Sequence, residues 1–202
     1  MRYNIIFFSI ICFCWLSSYG QAVENGVVKE YHGKNAKTAL AGVELMVHGA
    51  PSTVSDLKGA FALKFATFKP GDPINYSEIY KDGYVIFNKE TLDAWRISSN
   101  GKPFTIVMCK ETDFRQLKKK FYDIIEKSYR SEYERQKEIA ERNATDAMQL
   151  RQQLQVIEKE YNQKMADINT YVELFSRIDR NEMDSVEAKA LDYMEAGEID
   201  KA

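Results

Sequence analysis

The chain has 202 residues, with 28 Lys and Arg against 30 Asp and Glu, a formal charge of −2. That near-neutral, slightly acidic balance argues against a nucleic-acid binder or a protein held electrostatically to anionic membranes. The apolar and charged residues are segregated along the chain, so its regions are best read in order.

Met1-Arg2-Tyr3-Asn4 carries one positive charge, and Ile5 through Leu16 is uncharged and mostly apolar. Ser18 and Gly20, or Gly20 and Ala22, then supply small residues at the −3 and −1 positions of a cut after Gly20 or after Ala22. This is the three-part layout of a secretory signal, assigned here to residues 1–22. Its apolar core falls short of the roughly 20 residues a membrane-spanning helix needs, so no transmembrane span is expected after cleavage. Neither Cys12 nor Cys14 follows a small residue, which argues against lipidation, and both leave with the signal. Cys109 alone remains, reads as a small buried hydrophobe, and leaves no internal disulfide to form.

From 23 to 110, turn signals recur at short intervals: Asn25-Gly26, Lys58-Gly59, Pro70-Gly71-Asp72-Pro73 and Asp82-Gly83. Between them, Val43–Val47 and Phe61–Phe65 alternate apolar with polar residues, as strands with one buried face do. Tyr84–Phe87 and Phe104–Met108 are β-branched and aromatic runs that suit strands deep in a sheet. The expectation is a small antiparallel β-sandwich, and the fold class of the whole chain is α+β.

Four motifs in this segment occur in an order shared with a known family. They are Gly26-Val27-Val28 with Leu40-Ala41-Gly42-Val43-Glu44-Leu45, Thr53 through Leu63 around Asp56, Gly59 and Phe61, Gly71-Asp72-Pro73-Ile74, and Gly83-Tyr84. Together they resemble the carboxypeptidase regulatory-like domains, which are transthyretin-like sandwiches. The resemblance implies a module without catalytic residues that accompanies peptidases, receptors and envelope proteins. With the signal, it implies a location in the periplasm or envelope of a Gram-negative-type bacterium. In this reading Gly59 supplies turn backbone that other residues resist, and Phe61 and Leu63 point into the core.

Residues 111–180 contain neither proline nor glycine. Asp113 with Gln116 has the spacing of a capping box, and Phe114, Leu117, Phe121 and Ile124 follow at helical intervals. Ala147, Leu150, Leu154, Ile157, Tyr161, Ile168, Tyr171, Phe175 and Ile178 continue a heptad-like seam, interrupted at Lys164. The stretch 128–143 is polar. Two arrangements fit: one helix about 100 Å long, or a hairpin turning near the polar stretch. Either would bury the seam Leu150, Leu154, Ile157, Tyr161, Ile168 and Phe175, against the same chain or in a homodimer.

Asp184-Ser185-Val186-Glu187 carries another capping box and announces a separate helix. Ala190, Tyr193, Gly197 and Ala202 resemble four positions of the tetratricopeptide repeat, so 184–202 reads as a partial repeat or a short amphipathic tail.

Catalytic and metal-binding constellations are missing. His32 and His48 have no second ligand at metal-binding spacing, residues 179–190 lack the glycine and final glutamate of a calcium loop, and no phosphate loop occurs. The reading is a non-enzyme that needs no cofactor. Lys118-Lys119-Lys120, with Lys110 and Arg115, is either the wet face of a helix or a contact for acidic headgroups. Tyr76, Tyr80 and Trp95, near Tyr84, are candidates for a carbohydrate- or partner-contact surface, in competition with core packing. The sequence thus points to an exported interaction module, for protein or glycan, on a helical stalk. The alternative is a truncated member of a longer periplasmic tetratricopeptide-repeat scaffold.

Overall fold

The computed structural model describes residues 22–33, 37–179 and 183–196, which form eight strands and four helices in an α+β arrangement. Strand β1 (Ala22–Tyr31) organises the first sheet. Along one edge it pairs antiparallel with β5 (Ala60–Phe65) through residues 22–27 and with β2 (Lys37–Ala39) through residues 29–31. Its other edge runs parallel to β8 (Phe104–Lys110), which pairs antiparallel with β7 (Tyr84–Ile86). The second sheet has β3 (Glu44–Val47) between β4 (Thr53–Val54) and β6 (Tyr76–Tyr80). The expected sandwich is therefore not wholly antiparallel. A parallel pair needs a crossover, and the long excursion from β5 through the second sheet and back to β8 provides one.

The two sheets share one core. Val28, Leu63, Phe65, Ile106 and Met108 from the first meet Leu45, Val47 and Ile79 from the second, with Leu92, Trp95 and Ile97 closing one end. Each such burial stabilises by about 1.5–3 kcal/mol. Phe61 and Leu63 point inward as the alternation requires. Gly59 has φ +72°, and a Cβ there would lie 2.3 Å from the Val28 carbonyl oxygen, so the turn admits no other residue without distortion. Gly26 makes room for the Phe61 ring, which a Cβ would meet at 2.1 Å. Between these strands the Ser55 hydroxyl donates to the Leu40 carbonyl (2.8 Å) and accepts from the Val43 N–H (2.9 Å). The Asp56 carboxylate accepts from the Lys58 and Ala60 N–H groups, both at 2.8 Å, and sets the hairpin turn.

Helix α1 (Lys89–Asp93) is one short turn, and α2 (Glu111–Asn143) leaves β8 without a loop. The capping box expected at Asp113 is not used. The Glu111 N–H bonds the Gly83 carbonyl at the sheet edge (2.9 Å), so the helix starts three residues earlier, with Lys110 in the N-cap place, and Asp113 lies inside its first turn. Helix α3 (Ala147–Ser176) runs back along α2, so the segment is a hairpin rather than one long rod. The reversal occupies residues 144–146, beyond the polar stretch, and Asp146 caps α3 by accepting from Met148 (2.9 Å) and Gln149 (2.8 Å) N–H groups.

The polar stretch stays helical because it still offers a contact stripe. Tyr133 meets Tyr161 at 4.9 Å between ring centroids, and the Lys164 ammonium lies 5.6 Å over the Tyr129 ring. Lys164 is exposed and reaches Tyr129 from the margin of the seam. After Tyr161 the stripe passes to Met165, Ile168, Val172 and Phe175, while Tyr171, expected in the seam, is exposed. Ile168 is fully buried; Leu150, Leu154, Ile157, Tyr161 and Phe175 are half-buried within the chain's own hairpin.

Helix α4 (Ser185–Glu195) begins at the expected capping box. Asp184 accepts from Val186 and Glu187 N–H groups, and the Glu187 carboxylate accepts from the Asp184 N–H (2.9 Å). Leu191 and Met194 close over Phe121, Phe175 and Ile178 at the hairpin base. Ala190 and Tyr193 are half-buried beside them, and Gly197 and Ala202 lie outside the described residues.

The hairpin base is seated on the outer face of the first sheet. Phe114 joins Tyr31, Phe87, Val107 and Cys109 in a second apolar cluster, flanked by Val85 and Leu117. Arg177 donates to the Ile86 carbonyl, and its guanidinium lies 4.8 Å over the Phe114 ring. Lys37 pairs with Asp179, and Lys118 with Glu173 at 2.7 Å. The 110/111 boundary is thus a strand-to-helix junction whose two sides share a core.

Candidate functional site

The three aromatic residues expected to share a surface are separated. Trp95 is only 2 % exposed, stacked on Phe104 (4.5 Å, 13°), with its indole N–H directed at Glu24 (3.3 Å). It belongs to the core and has no face left for a sugar. Tyr76 is half-buried against the main core, since the register shift between Met46 and Val47 turns it inward. Tyr80 keeps an open ring, 48 % exposed. Tyr84 is half-buried with Lys81 over its ring (5.7 Å), and burial and the hydrogen-bonded Glu30 raise its phenol pKa.

Tyr80 stands instead in a face that the sequence analysis did not single out. On β3, β4 and β6 the residues alternating with the core positions Leu45 and Ile79 are Glu44, Met46, Val54, Glu78 and Tyr80. The register sets Glu44 between Val54 and Tyr80, and Met46 beside Glu78. Directly opposed pairs are about 4.5–5.5 Å apart and diagonal ones about 7–8 Å. The centre of the face is therefore a checkerboard, with two carboxylates on one diagonal and Met46 and Tyr80 on the other. Val54 is 56 % and Leu57, in the following turn, 92 % exposed.

These three strands contain two acidic residues and no basic one. Lys81, next in sequence to Tyr80, turns its ammonium onto the Ala41 carbonyl (2.8 Å), and neither Glu44 nor Glu78 has an ion-pair partner among the described residues. Such a face could have been found from the outward positions of the alternating strands, which were read only for their inward ones.

The remaining polar groups have structural work. Glu24, fully buried, accepts from Trp95 and from the Ser98 N–H (2.7 Å), tying β1 to the 95–98 loop. Burial, with Asp113 and Glu30 adding, pushes the Cys109 thiol up to about 11, which suits a packing residue and not a nucleophile. His32 contacts the Thr38 hydroxyl (2.8 Å), and His48 is exposed. The basic cluster is largely neutralised: Lys118 pairs with Glu173, Lys120 with Glu195 (3.0 Å), Lys110 with Glu30 (3.4 Å) and Arg115 with Glu111 (2.5 Å). Those pairings favour the solvated helix face over a headgroup contact. Among the described residues no group of three or more His, Cys, Asp and Glu could hold a metal, and no helix is long and apolar enough to cross a membrane. An open groove of about 450 Å³ lies near the hairpin tip, lined by uncharged residues including Ile139, Ala140, Val156 and Ile157.

No protein-family model, curated protein or solved structure matches the chain. The resemblance to carboxypeptidase regulatory-like domains rests on the motif residues themselves.

Proposed function

We propose that this chain is an exported, non-catalytic envelope protein in which a β-sandwich presents one sheet face to a partner while a helical hairpin covers the other. The observation that carries the reading is the asymmetry of the two outer faces. One is sealed by Phe114, Leu117 and Arg177, and the other leaves Met46, Val54 and Tyr80 in solvent. Exposed apolar groups gathered on a flat face are the usual mark of an interaction site.

Export is part of the proposal, and β1 bears on where the signal ends. Ala22 is buried and pairs with Phe65, so a cut after Ala22 would shorten the central strand, whereas a cut after Gly20 leaves it whole. The mature protein should begin at Gln21.

A photo-reactive residue replacing Val54 in the full chain, in its native cells, tests the reading. A cross-linked adduct in the envelope fraction is expected, with none from the same residue at Lys119. No adduct from Val54 would reject the interaction face.

A further inference from the structure

Resting on that reading, we infer that the open sheet face receives an extended protein segment bearing two lysines or arginines two residues apart, rather than a glycan. Glu44 and Glu78 occupy one diagonal of the antiparallel β3–β6 pair, a separation of about 7–8 Å. In an extended chain, residues i and i+2 point to the same side about 6.6–6.8 Å apart. Two cationic side chains at that spacing reach both carboxylates at once.

The other diagonal completes the match. Tyr80 offers a ring face to a cation or to the methylene stem beneath it, and Met46 offers a polarisable thioether. Long cationic side chains lay their stems on apolar surface and keep their charge at its margin, the geometry this checkerboard provides. Val54 and Leu57 extend the apolar area on the β4 side, where an apolar residue between or beyond the two cations would rest.

The charge pattern is selective. Lys81 directs its ammonium to the Ala41 carbonyl and pairs with neither carboxylate, and the three strands themselves carry no basic residue. An acidic segment would meet two like charges. A sugar would find a single aromatic platform, because Tyr76 and Trp95 are turned into the core.

The test is a titration of the full mature chain, labelled with ¹⁵N, by a blocked hexapeptide alternating lysine and valine. The same peptide with glutamate for lysine and a tetramer of N-acetylglucosamine serve as the other arms. Shifts are expected at the amides of 44–46, 54–57 and 78–80 with the lysine peptide alone, and they should weaken as salt is raised. Glu44→Gln and Glu78→Gln should each weaken binding about two- to five-fold, the range of exposed ion pairs. Both side chains are exposed, so the double variant should keep the parent melting temperature and remain a valid control.

No shifts at this face with the lysine peptide, or unchanged binding by the double Gln variant, would overturn the inference. Shifts with the glycan in place of the peptide would do the same. The Val54 adduct separates this failure from failure of the interaction reading. A cross-linked segment with paired basic residues supports both, a neutral or acidic segment overturns only the charge match, and no adduct overturns both.

Discussion

In the sandwich, Leu45, Leu63 and Ile106 have no exposed surface, whereas in the distal half of the hairpin Leu150, Leu154 and Ile157 keep part of theirs in water. The difference is one of neighbours. A residue between two sheets meets side chains from the facing sheet and from both adjacent strands. A residue between two helices is covered from one side only, unless a third element arrives. At the hairpin base that element exists: α4 brings Leu191 and Met194, and the first sheet brings Val107 and Cys109. At the tip none does among the described residues. Stability should therefore fall from the sandwich to the hairpin base and again toward residues 144–146.

Phe61→Ala should break that gradient at its top. Its ring is buried against Gly26 and edge-on to Trp95 (6.2 Å), so a loss of about 3–5 kcal/mol is expected in denaturant unfolding. Ile168→Ala, fully buried at the hairpin base, should cost about 2–4 kcal/mol, whereas Leu154→Ala nearer the tip should cost about half as much. Equal losses at the two hairpin positions would remove the distinction between base and tip.

A smaller effect should follow pH. Burial raises the Glu173 carboxyl, but Lys118 and Arg177 outweigh it and hold the group below its ordinary value of 4.5. A lowered carboxylate stabilises at neutral pH, and its contribution is lost as pH falls through the folded value. The melting-temperature gap between the parent and Glu173→Gln should be present at pH 7 and should close below pH 4.5. Glu173 is partly exposed, so the gap should be modest. Smallest of all is Tyr80→Ala: its ring already stands in solvent, and thermal unfolding should barely move.

Features carried by local chemistry were legible in the sequence. The Asp184 capping box, the Gly59 turn and the inward Phe61 and Leu63 each follow from a few neighbouring residues. Features decided by distant partners were not. Trp95 looked available until Glu24, remote in sequence, and Phe104, on the next strand, enclosed it. The parallel pairing of β1 with β8 has no local signature, nor has the early start of α2, which Gly83 fixes from a neighbouring strand end. The seam was misread past Tyr161 because strict seven-residue spacing points to Lys164 and Tyr171. The packed stripe advances one residue, to Met165 and Val172, as the two helices adjust to each other. Residues facing solvent on β3, β4 and β6 were passed over because alternation was used to find a core, and the same alternation defines the opposite face.

Thiol labelling of residues 21–202 carrying Val54→Cys compares the two outer faces directly, because Cys109 is the only other cysteine in that span. Cys109 lies beneath the hairpin base with its thiol pushed up to about 11, and position 54 stands open on the other sheet. At pH 8, with both sites read in one mass spectrum, the cysteine at 54 should react at the rate of a free thiol while Cys109 stays unmodified until denaturant is added. Labelling of Cys109 at a comparable rate, or protection of position 54 in the isolated protein, would contradict a molecule with one sheet face sealed by its own helices and the other open.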